Sequence, residues 1–268
     1  MVSITSIISM IITIILSIGF PIIIGIYFYR KHKMSLWPVA VGAFVFILFV
    51  MILERRMHNY LLFTNFNTST FLENPWAYAI YGSFAAGIFE ECGRFLAYIT
   101  LLRKKRSWTD GIAFGIGHGG IEAILIGGMT AIQNLILSIN INLGNINALN
   151  KYNMPSAMIE RIKSSLIDTP SYAFLVPGIE RMFVIFIQIG LSVLVLQGVK
   201  NKKYIYLLYA ILLHALIDFP AALFQKGMLT NIWAIEGWVA IASILLLLFT
   251  LRSKSNFGGE KGEIQDEI

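Results

Sequence analysis

The chain has 268 residues, of which 57% are hydrophobic and only 13% charged. A soluble domain carries about 25% charged residues, so this composition excludes a soluble globular protein and specifies a polytopic membrane protein. The net charge of +6 does not point to nucleic acid, because Lys and Arg collect in the cytoplasmic loops of membrane chains. The lone cysteine, Cys92, rules out an intrachain disulfide and a Cys-based zinc site.

A bilayer core needs about 20 apolar residues per helix. Seven runs qualify: 4–29, 36–53, 76–102, 111–139, 172–198, 204–224 and 231–251. The first run is too long for the h-region of a signal peptide and has no basic residues before it, so it reads as a retained helix kinked at Pro21. Tyr60 to Phe66 is apolar but too short to span and reads as an interfacial or re-entrant piece. Basic clusters follow alternate helices: Arg30, Lys31 and Lys33; Arg103, Lys104, Lys105 and Arg106; Lys200, Lys202 and Lys203; Arg252 and Lys254. The intervening loops, with Arg55 and Arg56, then Lys151, Arg161 and Lys163, then Lys226, are weaker. This bias predicts the N-terminus outside, the C-terminus inside and a multi-pass plasma-membrane protein.

The expected fold is therefore an all-α membrane helix bundle of about seven transmembrane helices. Residues 1–252 form a single membrane domain, with the chemistry on helices around 76–139 and 204–224. Residues 253–268 read as a polar, disordered cytoplasmic tail. Within the outside loop, about 140–170, Met158, Ile159, Ile162 and Leu166 recur at helical spacing. They predict an amphipathic helix, lying on the membrane interface or packing on the bundle.

Charged and titratable residues interrupt three of the apolar runs: Glu90, Glu91, Arg94, His118, Glu122, His214 and Asp218. A charge at mid-membrane costs a few kcal/mol or more, so each is a candidate functional residue. Glu91 lies about 11 residues from the basic end of its run, and His118 and His214 about 10. At about 1.5 Å per residue all three fall roughly 15–17 Å deep, near the middle of a core about 30 Å thick. Residues four apart share a helix face, which pairs His118 with Glu122, His214 with Asp218, and Glu90 with Arg94. Arg94 can neutralise one member of the Glu90–Glu91 pair and leave the other free to act. Gly111, Gly115 and Gly119 repeat every four residues, and Gly117 and Gly120 flank His118. Such spacing lets helices approach closely, and bare backbone beside His118 also leaves room for an extended substrate strand. Glu180 and Arg181 sit nearer the outer surface and read as packing or interfacial charges.

Glutamate and histidine together can activate water by general-base action. A second histidine with a supporting acid can hold an oxyanion or protonate a leaving amine. Equally, His118, His214 and Glu90 match the ligand count of a catalytic zinc site with an open position. The chain has no His-Glu-x-x-His and no Gly-x-Ser-x-Gly, so neither a soluble zincin nor a serine hydrolase is supported.

The motifs Glu90-Glu91-Cys92-Gly93-Arg94, Phe114-Gly115-Ile116-Gly117-His118 and His214-Ala215-Leu216-Ile217-Asp218 resemble those of the CAAX prenyl protease and bacteriocin-processing (CPBP) superfamily. The match looks like the YhfC-type branch, with the PrsW-type proteases as relatives. The resemblance implies an intramembrane endopeptidase acting on a membrane-associated peptide or protein in the lipid bilayer. It implies that Glu90 and His118 activate water, that His214 and Asp218 hold the oxyanion, and that Glu91, Arg94, Glu122 and Phe114 support them. It leaves open whether zinc is bound. Arg94 lies one residue closer to the acidic pair than in the prenyl-protease pattern, and Asp218 stands where that pattern also allows Asn. Two rivals remain: a proton- or ion-coupled carrier, and a non-catalytic membrane scaffold.

Overall fold

The structure is a computed structural model that describes residues 1–145 and 156–258. Every regular element among the described residues is a helix. In chain order they are α1 (Ile4–His32), α2 (Leu36–Thr64), α3 (Phe66–Phe71), α4 (Pro75–Ile99), α5 (Trp108–Asn142), α6 (Ser156–Asp168), α7 (Ser171–Lys200), α8 (Ile205–Gln225) and α9 (Ile232–Ser253). Six of them (α1, α2, α5, α7, α8 and α9) are long and apolar enough to cross a bilayer. The 25-residue α4 is long enough too, but carries Glu90, Glu91 and Arg94, whose cost in lipid must be met by partners on other helices. This is a multi-pass membrane protein.

Several boundaries differ from those read in the sequence. Tyr60 to Thr64 is the end of α2 rather than a separate interfacial piece, and Glu54, Arg55 and Arg56 lie inside that helix. The helix bends its own periodicity to continue, with π-helical stretches at Phe46–Glu54 and Tyr60–Thr64. α1 remains one helix through Pro21. α9 runs on as a 3-10 turn, Lys254–Phe257, with Phe257 buried, so the tail begins later than residue 253. The rest of the tail and the Asn-rich middle of the 140–170 loop lie outside the described residues.

The chain divides into two compact units. One comprises Met1–Ile23 and Glu122–Met182. Its core joins Val2, Met10, Ile141 and Leu166. The Val2 backbone N–H donates to Asn142 Oδ1 at 2.7 Å, and Asn142 Nδ2 returns a bond to Val2 O at 3.0 Å. The amphipathic helix α6 buries Ile159 and Leu166, so it packs on this bundle as an ordinary surface helix.

The other unit comprises Ile24–Ile121 and Phe183–Ile268, and holds the buried ionisable cluster. α4 starts sharply: Pro75 occupies its first turn, and Asn74 Oδ1 accepts from the backbone N–H groups of Trp76 and Ala77 at 3.0 and 3.2 Å, a capping arrangement worth about 1 kcal/mol. α4 packs antiparallel to α8, where a Cβ on Gly87 would meet Ile211 O at 2.8 Å. Within α5, the face carrying Gly111, Gly115 and Gly119 lies against Val193, Ile189 and Gln188 of α7, and Gly117 lies against Val39 O of α2. Neighbouring helices therefore fill the space at Gly117 and Gly119, on either side of His118. Large apolar side chains face outward instead, among them Ile80, Ile88, Leu216, Ile241 and Leu245, as suits a surface solvated by lipid.

Replacing Gly117 by Val should clash with the α2 backbone and destabilise the protein by roughly 3 kcal/mol, visible as a lowered unfolding midpoint of the detergent-solubilised protein. Gly82→Ala is the control: a Cβ there meets nothing within 4 Å, so the midpoint should hold or rise.

Candidate active site

Four helices of the second unit build the site. α4 supplies Glu90, Glu91 and Arg94; α5 supplies Phe114 and His118; α7 supplies Gln188; α8 supplies His214 and Asp218. Glu90, Glu91, Arg94, His118, Gln188 and His214 are all buried, with Glu91, Arg94 and His118 wholly inaccessible. Asp218 differs, its side chain remaining 41% exposed. The three polar sets read from the sequence thus come together on one centre.

Their pairing departs from the one-turn expectation. Arg94 does not pair with Glu90; its Nη1 donates to both oxygens of Glu91 at 2.9 Å. Its other arm, Nη2, donates to Gln188 Oε1 at 2.5 Å, and Gln188 Nε2 donates onward to Glu90 Oε2 at 3.0 Å. The carboxylate on His118 is Glu90: Nε2 lies 2.9 Å from Glu90 Oε2, while Nδ1 is buried without a partner. The ring is held flat by Phe114, whose stacked ring centroid lies 6.1 Å away, and from the side by Phe46 at 5.3 Å. His214 has two acidic neighbours. Nδ1 lies 2.8 Å from Glu91 Oε1, and Nε2 lies 3.4 Å from Asp218 Oδ2 and 3.9 Å from Glu90 Oε2. Glu122 closes the α-helical part of α5, one turn beyond His118, and its Oε1 accepts from Arg181 Nη1 at 2.7 Å. Arg181 Nη2 also donates to Glu180, so Glu180 and Arg181 form an ion network with Glu122 rather than scattered packing charges.

The order of these motifs has a counterpart among known proteins. Residues 13–239 match the family described as YhfC intramembrane metalloprotease. The chain belongs to this family. It is 41% identical over 237 residues, 88% of this chain and 92% of the relative, to the uncharacterized membrane protein YhfC of Bacillus subtilis (strain 168). No solved structure matches.

Does the donor set fit a metal? His118 Nε2 and His214 Nε2 both face Glu90 Oε2, and two imidazoles with one carboxylate are the protein ligands of a catalytic zinc site. His214 also carries Glu91 on its other nitrogen, the outer carboxylate typical of a ligating histidine. Charge balance points the same way. Glu90 and Glu91 are both buried, and Arg94 bonds to Glu91; an uncompensated buried charge costs about 3–5 kcal/mol. Both nitrogens of His214 face carboxylates, so the ring either carries both protons or presents Nε2 to a cation. Imidazole and carboxylate donors of this kind fit a divalent ion.

Sequence inspection missed Gln188, an uncharged amide on α7 with no motif to mark it. It also missed Phe46 and a second polar group on α2, Glu54 with His58.

Arg94→Lys cannot reach Glu91 and Gln188 at once, and Gln188→Leu removes the bridge to Glu90. Each should cost about 1–3 kcal/mol of stability. Because both act through one network, the double variant should lose clearly less than the sum. Denaturation midpoints of the four proteins test this, and strict additivity would refute the bridge.

Proposed function

We propose that this protein is an intramembrane endopeptidase that hydrolyses a peptide bond of a membrane-associated peptide or protein. The observation that carries the reading is the convergence of His118 Nε2 and His214 Nε2 on Glu90 Oε2, inside a centre of buried ionisable groups. The family description supports it. The motif order supports a kinship with the CPBP superfamily and PrsW-type proteases, and the loop charges support an N-terminus outside a bacterial plasma membrane.

The chemistry follows from the hydrogen bonds. Glu90 Oε2 is the basic oxygen of the centre, and Gln188 and His118 fix it from two sides. In this position it takes a proton from water as that water attacks the scissile carbonyl. His214 is steered by Glu91, so its Nε2 points into the space shared with Glu90 and Asp218. With both nitrogens protonated, that N–H stabilises the developing oxyanion. Asp218, half open to the surroundings, takes up or returns the His214 proton. A zinc ion held by His118, His214 and Glu90 would polarise the carbonyl and make bound water a stronger nucleophile.

Substituting Glu90 by Gln or His118 by Ala should slow cleavage of quenched-fluorescence apolar peptides by about 100-fold or more, with membrane insertion and melting retained. Full activity in both variants sinks the assignment. If a metal serves, metal analysis should find about one zinc per chain, lost together with activity on chelation and absent from the His118→Ala, His214→Ala double variant. Chelator-resistant activity in a metal-free protein would instead assign the oxyanion to His214 alone.

A further inference from the structure

α2 carries a fourth acidic group near this centre, after Glu90, Glu91 and Asp218. Glu54 is buried, with only 6% of its side chain exposed, although the residues around it in sequence, Leu53, Arg55 and Arg56, are exposed. Its Oε1 lies 3.0 Å from His58 Nε2, and His58 Nδ1 lies 2.5 Å from the Tyr81 hydroxyl on α4. The remaining oxygen, Oε2, is buried with no partner among the described residues.

Its place relative to the centre follows from helix register. α2 and α4 run antiparallel, with Phe49 over Gly93 and His58 on Tyr81. Interpolating between these pairs sets Glu54 level with Gly87, one turn from Glu90 and Glu91. A Cβ on Gly87 would lie 3.6 Å from His214 Cβ, so Glu54 and His214 share that level. A buried carboxyl oxygen with no partner is costly. From it a continuous chain of donors and acceptors runs through His58, whose side chain is 30% exposed, to the partly exposed Tyr81.

We infer that Glu54, His58 and Tyr81 form a proton relay that connects the catalytic centre to the outside of the helix bundle. The inference rests on the hydrolase reading. Hydrolysis adds the OH of one water to the acyl carbon and its H to the amine, and the new carboxylic acid then releases a proton inside a centre shielded from water. Glu54 rests with its proton on Oε1, shared with the unprotonated Nε2 of His58, whose Nδ1–H donates to the Tyr81 oxygen. As a proton arrives at Oε2, the Oε1 proton passes to His58 Nε2, and His58 releases its Nδ1 proton toward the Tyr81 oxygen and the exterior. One proton enters the chain and one leaves it. Glu54 does not touch the scissile bond; it resets Glu90 for the next cycle.

Two measurements on the full-length protein in nanodiscs test the relay. The first needs no substrate. Infrared difference spectra of wild type against Glu54→Gln identify the Glu54 carboxyl band, and its exchange in D2O should slow at least about tenfold in His58→Phe; an unchanged rate overturns the relay. The second uses quenched-fluorescence apolar peptides. Glu54→Gln should lower kcat about tenfold or more with KM held, and added imidazole, a small proton carrier, should restore much of the loss, which repair of a merely structural defect would not do. A Glu54→Gln protein that turns over at the wild-type rate, or whose loss imidazole does not relieve, overturns the relay. The Glu90→Gln protein separates the two ideas. If Glu90→Gln is inactive while Glu54→Gln is not impaired, the relay alone fails; if Glu90→Gln is as active as wild type, the hydrolase reading fails.

Discussion

The arrangement of the centre depends on one guanidinium. Arg94 is wholly buried and sends one arm to Glu91 and the other to Gln188. From those two contacts the orientation of both histidines follows: Glu91 holds His214 Nδ1, and Gln188 holds Glu90, which holds His118 Nε2. A lysine offers a point charge on a flexible stem and could satisfy only one of the two branches. In low dielectric the penalty for a loose partner is large, because an unpaired buried charge costs about 3–5 kcal/mol. Adjacent glutamates in one helix would repel each other; here they are separated functionally, Glu91 neutralised by a permanent cation and Glu90 left with hydrogen-bond donors only.

Such a network requires helices closer than ordinary side chains allow. The glycines of α5 meet that need on two faces at once, with α7 against Gly111, Gly115 and Gly119 and α2 against Gly117. Close approach to α7 sets Gln188 within 3.0 Å of Glu90 Oε2. Approach to α2 sets the edge of Phe46 on His118. The dense packing excludes lipid and water from the charged groups, and it is also why the centre is inside out relative to a soluble enzyme: apolar residues cover the exterior while ions fill the interior. Burial is uneven, however. Asp218 stays 41% exposed beside a buried His214, so the centre has one acidic side that is open and others that are sealed.

How much of this was legible in the sequence differs by scale. Long apolar runs revealed the helices, because lipid demands an apolar exterior and internal backbone hydrogen bonding wherever a chain crosses it. Glu90, Glu91, Arg94, His118, His214 and Asp218 stood out because a charge in an apolar run is expensive. Their depth could be counted because helix rise is nearly constant. The choice of partners was legible only in part: His214 does meet Asp218 one turn on, at 3.4 Å. Spacing along one helix predicts neighbours on that helix, so it paired His118 with Glu122 and Glu90 with Arg94. The bonds that form run between helices, His118 to Glu90 and His214 to Glu91, or use the i, i+3 step from Glu91 to Arg94. Inter-helix register is a property of packing, and no single helix carries it.

Gln188 and Glu54 show the same limit from two directions. Gln188 is an uncharged amide within thirty residues of helix, and polarity of that strength raises no alarm when lipid-facing and protein-facing positions cannot be told apart. Glu54 was charged and still escaped, because it sits where the apolar run ends beside Arg55 and Arg56 and so resembles the edge of a loop. The helix continues past it through a stretch of i to i+5 bonding, and a count at 3.6 residues per turn misplaces its face. Such π-helical insertions are uncommon and cluster at functional sites. Here the insertion turns a residue of an otherwise exposed turn inward, onto the helix that carries Glu90. The same departure from regular geometry that hid Glu54 from periodicity is what turns its side chain inward.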